Sequence, residues 1–382
     1  MTTAMTTDTM VLDRSIIICC GSGGVGKTTI AAALALQAAR LGRTACVVTI
    51  DPARRLANSL GLDALSNRPT RIEGPWPGEL HAMMLDPKRT FDDLVARYSD
   101  TAEQAEDIKV NRIYRNLTGT LSGTQEYMAM EKLYELVEEG GFDLVVVDTP
   151  PTRNALDFLD APRRLTRFLE NRLFQALMMP TRAGLRIMGM AAHALLRTIS
   201  KVAGADIVAD AVAFFQAFEG MEEGFRARAA RVRELLAQAE TAFVLVASPR
   251  PDSVDEAVHF AGKLAESDLS VTALVVNRVQ PRFADDSQLA ALAARVGGGT
   301  DQELDELVEN LRGYTAASDR EEQAYMDLVS KVAPAPVTRV PLLNTDVHDL
   351  HNLATIADLL SGGAGPATEP SGGPSGGPSG GR

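Results

Sequence analysis

Cysteine is scarce in this chain: Cys19, Cys20 and Cys46 are the 3 among 382 residues, and no two are spaced as C-x-x-C. All three fall in apolar runs that read as buried strands, so they suit a packed core and argue against a disulfide framework or a thiolate metal site. Positive charge is also short, with 38 Lys and Arg against 50 Asp and Glu and a net charge of -12. That balance argues against a surface that grips nucleic-acid backbones regardless of sequence. No secretory signal opens the chain, because MTTAMTTDTMVLDRS lacks a basic segment followed by an apolar one; the expected location is cytoplasmic. The most apolar helical stretch, near Leu185 to Ile199, contains Arg186 and Arg197 and falls short of the roughly 18 apolar residues that a membrane span needs. Residues 361–382 repeat Ser-Gly-Gly-Pro, offer no apolar area to bury, and lack the amphipathic terminal helix of a membrane-cycling protein.

What is present is ample for a large core: 45% of residues are hydrophobic and 23% charged, which fits one α/β domain carrying an insertion. The most specific pattern is Gly21-Ser22-Gly23-Gly24-Val25-Gly26-Lys27-Thr28-Thr29, which meets the phosphate-loop form G-x-x-x-x-G-K-[ST]. An apolar β-branched run, Arg14 to Cys20, precedes it, and a helical pattern from Lys27 to about Leu41 follows. The glycines permit backbone angles that aim several N–H groups at phosphate oxygens, and the helix presents its positive end there. In this reading Lys27 reaches the β- and γ-phosphates and the Thr28 hydroxyl ligates Mg²⁺.

Further strands are expected at Thr44 to Ile50, Leu80 to Leu85, Phe142 to Val147, Thr241 to Ser248, Val271 to Val276 and Val337 to Val340, alternating with helices. The alternation predicts a mostly parallel sheet flanked by helices. Asp51 ends the second strand. It can orient or deprotonate an attacking water, or it can cap a helix from Arg54 to Leu60. Asp148 ends the strand FDLVVV, the Walker B arrangement in which a carboxylate holds Mg²⁺; the alternative is a simple turn residue.

GSGGVGKTT, then Asp51-Pro52-Ala53, then Asp148-Thr149-Pro150-Pro151-Thr152-Arg153-Asn154, in this order, resemble the ArsA/Get ATPases, part of the deviant-Walker group of P-loop NTPases that includes MinD and ParA. The likeness extends to Val275-Val276-Asn277 and Val340-Pro341-Leu342-Leu343 and covers about residues 14 to 355. The resemblance implies a dimeric ATPase with ATP and Mg²⁺ at a subunit interface. Asp51 would then position the water, Asp148 to Asn154 would form a second switch, Asn277 would read the adenine edge, and the Pro341 loop would pack against the base. One position departs from the family: a lysine usually follows the first glycine of the loop and reaches the partner's phosphates, and here Ser22 stands in its place. A paralogous partner could supply that lysine in a heterodimer, Arg54, Arg55 or Arg153 could substitute, or hydrolysis is slow.

The expected organisation is a disordered N-terminus at 1–13, an ATPase core at 14–161 and 236–360, a helical insertion at 162–235 and a disordered tail at 361–382 that ATP binding does not need. The insertion carries 12 Lys/Arg against 7 Asp/Glu. It reads either as a packed bundle or as a hydrophobic groove for a client protein, with Met178, Met179, Met188, Met190 and Met221 as adaptable contacts. The resemblance lends the groove part of its support, since the eukaryotic targeting members bind transmembrane segments there. Other readings are the ATPase subunit of an arsenite-type anion pump, a nucleotide-binding regulatory subunit, and, more remotely, a DNA-partitioning ATPase. Clustered thiolates are absent, so activation by metalloid and a zinc-bridged homodimer are not expected. Nucleic acid is not an expected partner, and peripheral membrane contact stays open.

Overall fold

A computed structural model of the chain describes residues 6–51, 54–112, 114–115, 124–150, 210, 214, 221–281, 287–288, 290–291, 294, 302–332 and 334–362. Pro52, Ala53, the 151–209 stretch with Thr152, Arg153, Asn154 and most of the expected insertion, and residues 363–382 lie outside the described residues.

Eight strands form one sheet: β1 (Ile16–Cys20), β2 (Thr44–Thr49), β3 (Thr70–Ile72), β4 (Glu79–Met84), β5 (Leu144–Asp148), β6 (Thr241–Ala247), β7 (Ala273–Val279) and β8 (Val337–Pro341). Their spatial order is β3-β4-β2-β5-β1-β6-β7-β8. All neighbours pair in parallel except β3, which runs antiparallel to β4 at the edge. The register sets Cys19 and Thr49 on either side of Asp148, so three strands end in line. The central strands are apolar and buried along their whole length, as expected of a parallel sheet covered on both faces.

Alternate residues of β1 feed two cores. Ile17 and Cys19 pack with α1 (Thr7–Asp13), α2 (Lys27–Arg40), α3 (Arg55–Ser59) and α10 (Leu350–Leu360). Ile16, Ile18 and Cys20 face α6 (Thr124–Glu138), α7 (Glu222–Ala237), α8 (Pro251–Glu266) and α9 (Gln302–Val332). A third cluster joins α4 (Pro87–Tyr98) and α5 (Ala102–Val110) to α6 and α7 through Val95, Ile108, Tyr114, Met128 and Phe225. Burial pushes the Cys20 and Cys46 thiols up to about 12, which keeps them neutral core residues.

The structure corrects several expectations. Residues 1–13 were expected to be disordered, yet 7–13 form α1, with Met10 and Val11 buried; two adjacent apolar residues suffice to dock a short capped helix. Among the described residues of the expected tail, the Ser361 hydroxyl donates to Asp8 Oδ1 at 2.7 Å, and the same carboxylate accepts from Gln37 Nε2 at 3.0 Å. The edge strand β3 and the helix α10 had no counterpart in the strand and helix pattern. The acidic helices expected between 284 and 331 include one continuous helix, α9. The boundary at 235/236 falls inside α7, whose Val232, Leu235 and Leu236 belong to the sheet core.

Candidate active site

The C-terminal ends of the parallel strands converge on one edge, where the doubly covered sheet leaves room for a ligand. β1 passes into α2 through the glycine loop. Gly26 has φ +94°, and a Cβ there would lie 2.3 Å from Asn277 Nδ2. At Gly21 (φ +148°) a Cβ would meet the Val246 carbonyl oxygen at 2.0 Å. Only glycine fits both places.

Lys27 begins α2 and is 6% exposed. Its Nζ donates to the Ser22 carbonyl at 2.7 Å. Burial lowers its pKa, while the nearby Asp148 carboxylate raises it. Asp148 is 1% exposed. Burial pushes its pKa up to about 6, against the pull of the Thr28 and Thr49 hydroxyls and the Lys27 ammonium. Its Oδ2 accepts from Thr49 Oγ1 at 2.8 Å, whereas Oδ1 is buried without a partner. A lone buried carboxylate oxygen next to a threonine hydroxyl is a donor pair suited to Mg²⁺, a hard cation that keeps most of its waters and phosphate ligands. The residues present therefore fit that ion.

Asp51 lies two residues past the end of β2, after Ile50. Its N–H donates to Thr49 Oγ1 at 3.2 Å, and its carboxylate lies 3.3 Å from the Arg55 guanidinium. The N-cap position of α3 is held by Arg54 rather than by Asp51. Thr149 Oγ1 donates to the Cys19 carbonyl at 2.7 Å and fixes the exit of β5 against β1.

A cleft of about 640 Å³ opens on this edge, lined by Gly24, Gly26, Lys27, Thr28, Thr29, Asp51, Thr149, Asn277 and Pro341 among others. A second, of about 520 Å³, lies along Ser22, Gly23, Gly24 and Val25 and reaches the start of α8. The structure thus brings the expected site residues to one edge, but divides the loop between two clefts. Ser22 Oγ sits 3.2 Å from Ser253 Oγ, which accepts from the Ser248 N–H at 3.0 Å. Asn277 donates through Nδ2 to the Val25 carbonyl at 2.8 Å. Of the cations considered to replace the absent lysine, Arg55 pairs with Asp51 and Arg153 lies outside the described residues.

Sequence reasoning missed Thr49 and Arg278. A polar residue at the end of an otherwise apolar strand was the available signal for Thr49, and an arginine inside VVNRV for Arg278.

The sequence matches the family described as "Anion-transporting ATPase" over residues 14–310. The chain belongs to that family. An uncharacterised protein of Streptomyces coelicolor is 33% identical over 269 residues, which is 70% of this chain and 63% of that protein. "ATPase get3" of Aspergillus terreus is 31% identical over 152 residues, 39% of this chain and 43% of that one. "ATPase GET3B" of Arabidopsis thaliana is 26% identical over 293 residues, 71% of this chain and 66% of the relative. The matched stretches thus span about two fifths to two thirds of these relatives' lengths. The family shares the P-loop α/β fold seen here. Among the described residues, no helix is long and apolar enough to cross a membrane.

Proposed function

We propose that this chain binds ATP with Mg²⁺ in the 640 Å³ cleft and hydrolyses it to ADP and phosphate. The observation that carries this reading is the unpartnered, buried Oδ1 of Asp148 at the sheet edge beside Lys27 and Thr28. Loop N–H groups and Lys27 would hold the phosphates, and Thr28 with Asp148 would hold the ion, which neutralises charge on the phosphate oxygens. Asp51 would orient the attacking water and accept its proton. The base would lie toward Asn277 and Pro341.

By family resemblance the functional unit is a dimer in the cytoplasm, whose closure on ATP is coupled to handling a hydrophobic client through the segment 162–235. Membership of a family described as anion-transporting keeps a pump-subunit role as the competing assignment. A specific observation favours a second reading. Ser22 carries no cation and its hydroxyl lies against Ser253, so the chain could be a nucleotide-binding subunit that turns over only beside a partner bearing the lysine. A trans-acting cation is worth on the order of 10³ or more in phosphoryl transfer.

The test is phosphate release by the pure protein, alone and with a paralogue, next to nucleotide binding. Asp51→Asn is expected to abolish turnover and retain ATP binding, and Lys27→Ala to lose both. Activity only in the mixture assigns the heterodimer. Undiminished turnover in Asp51→Asn would refute the role given to that carboxylate.

A further inference from the structure

Arg278 has a left-handed backbone, φ +61°, one of two non-glycine residues with positive φ among those described. Such a conformation is strained for an arginine and persists where the surroundings impose it. It coincides with the register shift between Val276 and Val279, where β7 loses step with β8.

The irregularity has a geometrical result. Successive side chains of a regular strand point to opposite faces, yet Asn277 and Arg278 both reach the glycine loop. Asn277 Nδ2 donates to the Val25 carbonyl at 2.8 Å, and Arg278 Nη1 donates to the Gly24 carbonyl at 2.9 Å. The pair is itself locked, because the Arg278 N–H donates to Asn277 Oδ1 at 2.9 Å. Two neighbouring carbonyls of the loop are thus occupied by β7. A peptide carbonyl and the N–H of the same plane point in opposite directions, so holding these carbonyls fixes where the following N–H groups aim. Arg278 also lines both clefts.

We infer that Arg278 is a positioning residue that, with Asn277, clamps the phosphate loop in its phosphate-ready shape before any ligand arrives. The strain at Arg278 is what lets adjacent residues grip adjacent carbonyls. The inference rests on the nucleotide reading for its consequence in binding, but the clamp itself concerns the ligand-free loop.

Arg278→Gly tests it, since glycine accepts φ +61° and removes the side chain with the guanidinium that holds the Gly24 carbonyl. Three measurements on the full chain are compared with wild type: thermal unfolding, hydrogen exchange of amides 22–26 without ligand, and equilibrium binding of ATP and ADP. The expected result is unfolding at or above the wild-type temperature, faster loop exchange, and about tenfold weaker binding of both nucleotides alike. Unchanged loop exchange overturns the clamp, whether or not nucleotide binds. Loss confined to ATP also overturns it, because the guanidinium would then serve the terminal phosphate. If wild type binds neither nucleotide, the nucleotide reading fails, and the exchange measurement still decides the clamp.

Discussion

Thr49 links the two aspartates on which the proposed chemistry depends, one through its carboxylate and one through its backbone. Its hydroxyl donates to Asp148 Oδ2 and accepts from the Asp51 N–H, and the residue is 1% exposed. Replacing it by valine keeps the shape and strips a buried carboxylate of a donor, a change that costs about 1–3 kcal/mol. Thr49→Val is therefore expected to lower the urea midpoint by that equivalent, and Thr49→Ser to recover most of it. Equal midpoints for Val and wild type would show that the bond contributes nothing net. That Lys27, Thr28 and Asp148 lie together at one sheet edge was legible in the sequence, because each belongs to a pattern a few residues long. Arg278 was not: its contact with Gly24 spans 254 positions in the chain and exists only because β6 and β7 are laid beside β1.

At the scale of elements, α6 and α7 are joined by a buried ion pair, Arg228 Nε to Glu131 Oε1 at 2.5 Å, with the guanidinium 3.9 Å above the Tyr134 ring. Glu131 Oε2 and the Tyr127 hydroxyl are buried without partners. Burial raises the Glu131 pKa above its ordinary 4.5, although Arg228 and Arg97 pull it down. For a carboxyl raised in the folded state, the stabilisation is fully present below the unfolded value and is lost as pH rises through the folded one. Urea titrations at pH 4 and pH 7 should therefore show wild type losing more stability across that interval than Glu131→Gln; equal losses would mean Glu131 ionises normally. Elements that bury a long apolar run, such as β1, β5 and β6, were legible from that run. β3 has three residues and one buried side chain, too few for a period to register. The helix α10 was missed although Leu353, Ile356, Ala357 and Leu360 form an apolar face; lying past the last strand, it was given no partner in the pattern.

For the whole molecule, the two-sided sheet explains why the three cysteines form no common site: it divides them between two cores. Cys19 faces the α2 layer, while Cys20 and Cys46 face the α6 layer. A soft metalloid needs thiolates gathered on one side, and these are free thiols buried on opposite faces. Arsenite or antimonite is accordingly expected to leave the ATPase rate unchanged; clear stimulation would return the chain to an anion-pump role. The order of the strands, unlike the existence of the seven longer ones, could not be read from composition and period, because crossovers through helices leave no local trace of which strands become neighbours.

The surroundings of α2 bear on what can move. Every residue from Ile30 to Ala39 is buried. The far end is tied to α1 and to the end of α10 through Gln37, Asp8 and Ser361, and by an Arg40–Asp358 pair at 2.7 Å. Lys27 and Thr28 are thus mounted on a fixed post. A displacement provoked by a ligand is therefore expected outside α2.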